Sequence, residues 1–390
     1  MKQIITSILD TDLYKISMGQ FVKHFHPSAN VKYEFKCRND DIKLGFLKEQ
    51  IVSQIELMRN IRLTQEEFEY LSTLKFLSSD YVDYLSSYCF NPDCLSVCDK
   101  GGNLEIIING LWYETILWEV PLLATINELY FQNTSSFNNV EIEGVKRLED
   151  KIDIILKYPQ FKLAEFGTRR RYSKFWQNYV LEQLCKRVPF NLVGTSNLYL
   201  SKKYQIKPIG TMAHEVFSAY LAFADNIRNA QKMALHDWLA EYDTPHGPQL
   251  GIALTDTFGS KSFFEDFNSV LANSYDGVRH DSGDAVEFAK RVIEHYKKIG
   301  IDPRTKSLVF SDGLTVESAL RLFEQFTGQI GLSFGIGTSL TNDLSVKPLN
   351  IVIKLLECNG VPVVKISDEP LKSMGDAEMV KRVKNVYGCI

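Results

Sequence analysis

The residues able to do chemistry sit in seven short polar segments, each placed directly after a short apolar run. Gly167-Thr168-Arg169-Arg170-Arg171 follows Phe161–Phe166, and Gly194-Thr195-Ser196-Asn197 follows Phe190–Val193. Gly210-Thr211-Met212-Ala213-His214-Glu215 follows Gln205–Ile209, and Thr255-Asp256-Thr257 follows Leu250–Leu254. The last three are His280-Asp281-Ser282-Gly283-Asp284, Ser311-Asp312-Gly313 and Gly335-Ile336-Gly337-Thr338, after Gly277–Arg279, Leu308–Phe310 and Gly331–Phe334. Helix capping accounts for the Gly, Ser, Thr and part of the Asp in such segments. It does not account for Arg169, Arg171, Arg279 and His214, so the segments read together as the rim of one active site.

That rim is built for an anion. Guanidinium groups at Arg169, Arg171 and Arg279 offer forked donors suited to phosphate or carboxylate. Strand-to-helix turns such as Gly335-Ile336-Gly337-Thr338 and Ser311-Asp312-Gly313 present backbone N–H groups and a helix dipole to negative charge. Asp256, Asp281 and Asp312 supply oxygens for Mg²⁺ or for ribose hydroxyls. A phosphorylated sugar with magnesium satisfies all three groups. Gly335-Ile336-Gly337 lacks the third Gly of a dinucleotide fingerprint, and no Walker A loop is present. His214 has no second His at the helical offset of a zincin-like site, and its place after a Gly-Thr turn points to a nucleophile or general base. A carboxylate on its other ring nitrogen would fix the tautomer, and both Asp256 and Glu215 are candidates.

The elements that position this rim follow from the rhythm of the chain. From about residue 160, short apolar strand, polar loop and amphipathic helix repeat, with helical patterns over Asp284–Ile299 and Val316–Phe326. Such a repeat implies an all-parallel sheet, so the loops gather on its C-terminal face, where (β/α) barrels and doubly wound sheets keep their sites. The first third is α+β. Leu13, Ile16, Phe21, Val22 and Phe25 recur at helical spacing, and Val31–Arg38 alternates as a half-buried strand. Thr64-Gln65-Glu66-Glu67 has capping-box spacing, Leu104–Ile108 reads as a strand, and Pro121 suits the first turn of a helix. After Leu349 the strand patterns Ile351–Leu355 and Val361–Ile366 would most economically rejoin the first module. The expected organisation is an α+β domain from residues 1–140, completed by 345–390, beside a barrel-like catalytic domain over 141–344.

Composition removes several classes of function. In 390 residues, 44 basic against 48 acidic side chains leave −4, too balanced for a nucleic-acid or membrane-surface protein. Seven scattered cysteines argue against a disulfide framework and for a reducing compartment. The gaps between Cys89, Cys94 and Cys98 are not those of zinc knuckles. Met1–Ile5 has no signal-peptide core and no window resembles a membrane span, so a cytoplasmic protein is expected.

Taken in order, Asp12-Leu13-Tyr14-Lys15, Glu165-Phe166-Gly167-Thr168-Arg169-Arg170-Arg171 and the five later segments through Ser311-Asp312-Gly313 resemble the nicotinate phosphoribosyltransferase family. The likeness runs from about residue 10 to about 370. It implies a barrel-like type II phosphoribosyltransferase fold beside an α+β domain built from both chain ends. It also implies that nicotinate and phosphoribosyl pyrophosphate become nicotinate mononucleotide and pyrophosphate, with ATP hydrolysed through a phosphohistidine and with Mg²⁺ as cofactor. On this resemblance His214 is the phosphorylated residue, and Phe166 stacks on the pyridine. Tyr14 comes from the other subunit of a homodimer with shared sites. Arg169 lies beside the pyridine and phosphates, with Arg170 or Arg171 free to reach the carboxylate. Arg279 and Asp281 hold the phosphoribosyl group, while Ser311, Asp312, Gly313, Gly335, Gly337 and Thr338 form the ribose-phosphate cradle. Asp256 and Asp281 are the expected magnesium ligands.

Ser196 bears on the choice of pyridine. Related nicotinamide enzymes carry an Asp in that turn, where a carboxylate would repel nicotinate, and a neutral hydroxyl favours the acid. The alternatives are a nicotinamide phosphoribosyltransferase and a non-catalytic metabolite-binding protein on the same fold. An aldolase would want a strand-borne lysine near the rim, and the strand patterns hold only Lys162 and Lys207.

Overall fold

A computed structural model describes residues 2–134, 137–244, 247–248, 250–369 and 373–388. Strands β1 (Asn30–Cys37), β2 (Leu95–Lys100) and β3 (Asn103–Leu111) come first. Then follow β4 (Leu163–Glu165), β5 (Leu192–Thr195), β6 (Ile252–Leu254), β7 (Gly277–His280), β8 (Ser307–Phe310) and β9 (Gly331–Ile336), and β10 (Ile351–Cys358) and β11 (Val361–Pro362) come last.

The first sheet has the order β11-β10-β1-β3-β2 and is antiparallel. Alternation in β1 does what its pattern predicts, since Val31, Tyr33 and Phe35 are buried while the residues between them face outward. The chain returns from its far end to pair β10 with β1, Phe35 opposite Ile353 and Cys37 opposite Ile351. The extended reading of Val361–Ile366 shortens to the two residues of β11, with Lys365 making one isolated bridge to Met374.

The second sheet is parallel throughout, in the order β5-β4-β9-β8-β7-β6. Six of the seven expected strands form. The seventh, Gln205–Ile209, does not: Gln205 takes a left-handed conformation (φ 53°), and only Pro208 bridges to Thr195. Proline lacks the N–H that a ladder needs. The segment still spans the space between the two sheet edges. Its Ile209 N–H donates to the Thr195 carbonyl (2.8 Å), and the Thr211 hydroxyl donates to the Ile252 carbonyl (3.1 Å). Gly194 permits this approach, because a Cβ there would fall 2.0 Å from the Lys207 carbonyl oxygen at a φ of +153°.

Helices fill the intervals with the caps the sequence predicts. Thr64 and Glu67 form a capping box on the helix Gln65–Ser72. Asp284 accepts from the Glu287 N–H at the start of Ala285–Lys298, and Thr315 caps Val316–Phe326. Pro121 stands in the first turn of Glu119–Thr134. No helix among the described residues is long and apolar enough to cross a membrane.

One buried ion pair joins the N-terminal segment to the parallel sheet. Arg171 forks onto Asp10, Nη1 to Oδ1 at 2.6 Å and Nη2 to Oδ2 at 3.0 Å, with both residues about 1% exposed. Asn197 donates to the same carboxylate, and Gln177 accepts from the guanidinium. Burial works against ionisation of Asp10, yet the Arg171 and Lys174 charges hold its carboxyl well below the usual range. Arg171→Met strands that carboxylate, and the expected loss is about 3–5 kcal/mol in a denaturant melt. Adding Asp10→Asn should recover much of it. Because the folded-state pKa is depressed, the pair's contribution is present above the ordinary carboxyl value near about pH 4 and is lost as pH falls through the folded value.

Candidate active site

A cavity of about 720 Å³ opens at the C-terminal ends of the parallel strands, with β1 and β10 lending residues to its wall. Of the expected site residues, Tyr14, Phe166, Arg169, Ser196, His214, Glu215, Arg279, Asp281, Ser311, Asp312, Gly313, Gly335, Gly337 and Thr338 line it. Arg171 does not, since it is committed to Asp10, and Asp256 lies just behind the wall.

His214 is the first residue of the short helix His214–Ala219. Its Nδ1 is 3.0 Å from the Thr257 hydroxyl, and its Nε2 is 2.8 Å from Asp281 Oδ2 and 2.8 Å from Lys365 Nζ. Both tautomers are therefore served. In one, Nε2–H donates to Asp281 while Nδ1 accepts from Thr257; in the other, Nδ1–H donates to Thr257 while Nε2 accepts from Lys365. Burial, with the Lys365 charge second, lowers the imidazole pKa and favours the neutral ring.

The carboxylate in contact with His214 is Asp281. Asp256 is farther off at 3.7 Å from Nε2. Glu215 lines the cavity but does not partner the imidazole: Oε2 takes Lys15 at 2.5 Å, while Oε1 takes the Tyr33 hydroxyl at 2.5 Å and the Trp112 indole at 2.6 Å. The role considered for Glu215 as partner of the imidazole is thus corrected by its neighbours. Asp256 accepts from Ser282 Oγ at 2.6 Å through Oδ2, and its Oδ1 is buried without a partner.

Arg279 completes the cluster. Its Nη1 lies 3.3 Å from both Asp281 Oδ1 and Ser311 Oγ, and Nη2 donates to the Met212 carbonyl at 3.0 Å. Burial opposes ionisation of Asp281, but Arg279 first, and then His214 and Lys365, hold it well below the usual range. Among the described residues, His214, Asp256 and Asp281 are a set whose ligand atoms are close enough to hold a metal ion.

Two glycines expected to cradle phosphate have a second duty. A Cβ on Gly335 would fall 2.4 Å from the Phe166 ring, and one on Gly337 would fall 2.9 Å from the Phe166 carbonyl oxygen. Their missing side chains let the end of β9 close on the Phe166 turn, where Phe166 N–H donates to the Ile336 carbonyl. Gly313 holds a left-handed turn (φ +57°), and Thr338 opens the single turn Thr338–Thr341.

At the opposite wall, the Arg169 guanidinium lies 5.9 Å from the Tyr14 ring centre and 3.6 Å from Glu119 Oε1. Tyr14, expected from a partner subunit, thus lines the cavity of its own chain. Ser196 Oγ donates to Asp12 Oδ1 at 2.6 Å. Asp12 also lines the cavity, so the neutral hydroxyl that the turn suggests has a carboxylate directly beside it. Burial pushes the Asp12 carboxyl up, and the Ser196 hydrogen bond and the Arg169 charge act against that rise.

Sequence reasoning missed Lys365, Lys354 and Arg38, which line the same cavity, and of the two arginines left open for the carboxylate it is Arg170 that lines it. Lys354 Nζ is buried without a partner, and its pKa is pushed down to about 7 by burial and then by Arg38, Lys365, Lys36 and Arg170. Arg170 donates to Asn350 Oδ1 and the Ile351 carbonyl. Among the described residues no carboxylate pairs with Arg38, Arg170 or Lys354. Crowded cations without an anion suit a polyanion. Only the inward Lys354 in the apolar run Ile351–Leu355 signalled it.

The described cysteines are free thiols, and none of them lines the cavity.

Comparison with known proteins agrees along the whole chain. Residues 161–389 match the nicotinate phosphoribosyltransferase (NAPRTase) family, and residues 9–127 match the N-terminal domain of that family. A nicotinate phosphoribosyltransferase of Chromobacterium violaceum is 46% identical, the match covering 98% of this chain and 97% of that protein. The counterpart from Photorhabdus laumondii is 45% identical over 98% of this chain and 96% of its own. The crystal structure of nicotinate phosphoribosyltransferase from Vibrio cholerae superimposes with a TM-score of 0.94 at 37% identity, covering 99% of this chain and 94% of that one. That from Porphyromonas gingivalis gives 0.93 at 34% identity, with 99% and 100% covered. With the order of its motifs, its two sheets and both of its family segments in agreement, the chain belongs to the nicotinate phosphoribosyltransferase family.

Proposed function

We propose that the chain transfers the phosphoribosyl group of phosphoribosyl pyrophosphate to nicotinate, giving nicotinate mononucleotide and pyrophosphate. The reaction serves the synthesis of NAD from nicotinate. ATP hydrolysis is coupled to it through phosphorylated His214, with release of ADP and phosphate. The observation that carries this reading is the imidazole of His214, held between Thr257, Asp281 and Lys365 in one cavity with Phe166, Arg279 and a set of cations that pair with no carboxylate.

Each group has work suited to its chemistry. Phe166 and Tyr14 offer aromatic faces to a flat ring and orient its nitrogen for attack on the anomeric carbon. Arg169 supplies a forked donor for the carboxylate. Arg279 and Ser311 donate to the phosphorylated sugar, while Arg38, Arg170 and Lys354 take up polyphosphate charge. Departure of pyrophosphate leaves an electron-poor carbon, so an ionised Asp281 nearby lowers the barrier. In the coupling step a ring nitrogen lone pair of His214 bonds to phosphorus as the bond to ADP breaks. Lys365 then balances the charge brought by the phosphoryl group, and hydrolysis by water returns the imidazole and phosphate.

The donors present suit Mg²⁺. Asp256 and Asp281 are hard oxygen ligands, and the buried Oδ1 of Asp256 has no other partner. When bound, the ion would neutralise the pyrophosphate leaving group. A homodimer with shared sites belongs to the same reading, and sedimentation of the whole chain at twice its mass is the expected result.

A second reading, with nicotinamide as substrate, has one observation in its favour: the Asp12 carboxylate beside Ser196 can accept from an amide. Product analysis separates the two. With phosphoribosyl pyrophosphate and Mg²⁺, the expected product is nicotinate mononucleotide, formed faster with ATP and matched by ADP release. Nicotinamide turnover instead would overturn the choice of acid, and no product from either pyridine would leave only binding. His214→Ala should abolish ATP-coupled turnover while slow, ATP-independent synthesis persists. Coupled hydrolysis surviving in that variant would remove His214 from the role. Ser196→Asp adds a second carboxylate next to Asp12, and nicotinate should weaken by roughly tenfold more than nicotinamide. Equal losses for both pyridines would place Ser196 outside the pyridine pocket.

A further inference from the structure

Lys15 is wholly buried and does not itself line the cavity, yet it joins two carboxylates, Glu119 and Glu215, that do. It lies in the helix Leu13–Phe25, with Nζ 2.5 Å from Glu119 Oε2 and 2.5 Å from Glu215 Oε2. Glu119 opens the helix Glu119–Thr134, and its other oxygen faces Arg169 Nη1 at 3.6 Å. Glu215 follows His214 in the helix His214–Ala219, where Tyr33 and Trp112 hold its second oxygen. One ammonium thus holds the acidic partner of the pyridine-side arginine and the residue next to the phosphoryl-side histidine.

The charges explain why this matters. Burial opposes a charged Lys15, but Glu119 and Glu215 outweigh it and keep the ammonium protonated. One ammonium between two carboxylates leaves a net negative charge in a largely buried place, and Arg169 is the cation that balances it. An anion arriving at Arg169 competes with Glu119 for the guanidinium. Glu119 then leans more on Lys15, at the expense of Glu215 and of the turn that carries His214. Removal of one member of such a set costs more than its own contact, because the others are left buried and unbalanced.

We propose that Lys15 is a positioning residue that couples the nicotinate end of the cavity at Arg169 to the phosphoryl end at His214, through Glu119 and Glu215. The proposal rests on the ATP-coupled reading above and adds the path by which the two ends are linked. It is a coupling free energy between sites, with both ends biased by one element.

The test compares wild type with K15M, which keeps the volume and removes the charge, and with K15R, which keeps the charge. Two quantities are measured on the whole protein: the KM for nicotinate, and the ratio of synthesis rates with and without ATP. In K15M the KM should rise roughly tenfold and the ATP ratio should fall roughly tenfold together, and K15R should restore both. A folded K15M in which only one quantity moves, or in which neither does, overturns the coupling. Should K15M not fold, E119Q carries the test, because it leaves Lys15 its Glu215 partner and makes no contact with His214. A lowered ATP ratio in E119Q supports the link, and an unchanged one overturns it. Wild type showing no ATP stimulation at all would defeat the functional reading and the coupling with it. A stimulated wild type with insensitive variants defeats the coupling alone.

Discussion

Two neighbouring carboxylates, the buried Asp256 after β6 and the half-buried Asp281 after β7, set the terms for the rest of the structure. Both stay ionised against the cost of burial only because cations and hydrogen-bond donors share them: Arg279, Lys365, His214 and Ser282. Three of these lie in or close after the segments that make up the parallel sheet and its rim. Lys365 does not. It arrives from beyond β11, on a segment that crosses the loops through Ile366 N–H to the Thr257 carbonyl, Ser367 Oγ to Ser282 Oγ and Asp368 Oδ1 from Ser260 N–H. The return of the C-terminal strands to pair with β1 therefore does more than complete a sheet, because it delivers the cation that lets two acids and a neutral imidazole coexist.

The same division of labour recurs at the polyanion wall. Arg38 directly follows β1 and Lys354 lies in β10, so their convergence depends on the antiparallel pairing of those two strands. Arg170 comes from the turn after β4 and is held toward them by Asn350 and Ile351. Positive charge gathered from three distant stretches of chain is kept unpaired here at an energetic cost, visible in the lowered pKa of Lys354. Such a cost persists only where a ligand returns it.

Much of the fold is legible from periodicity. Strand β1 alternates cleanly because one face is buried, and the capped helices Gln65–Ser72, Ala285–Lys298 and Val316–Phe326 carry their own start signals. Gln205–Ile209 looks like a strand in sequence because the hydrophobic pattern is right. Pro208 and the left-handed Gln205 reduce it to single contacts. The candidate site is legible in part. His214, Arg279, Asp281 and Ser311 are found because loops after parallel strands must share one face, and Phe166 is found through the family resemblance. Glu215 and Arg171 look equally eligible in the same loops. Neighbours from other parts of the chain, Lys15 and Asp10, take them out of reach of the chemistry.

The residue types and their order in the chain by themselves determined the α/β class, the shared loop face, the anionic character of the substrate and the family. These depend on local spacing and on motif order, which need no knowledge of contacts. Only the tertiary structure decided which charged groups meet. It paired Asp281 rather than Glu215 with His214, set Asp12 against Ser196, brought Lys365 to the imidazole, and hid Arg171 and Lys15 as internal counter-ions. The physical reason is range. Periodicity is fixed by neighbours a few residues apart, whereas the balance of buried charge is struck between side chains as many as 200 positions apart, as Lys15 and Glu215 are.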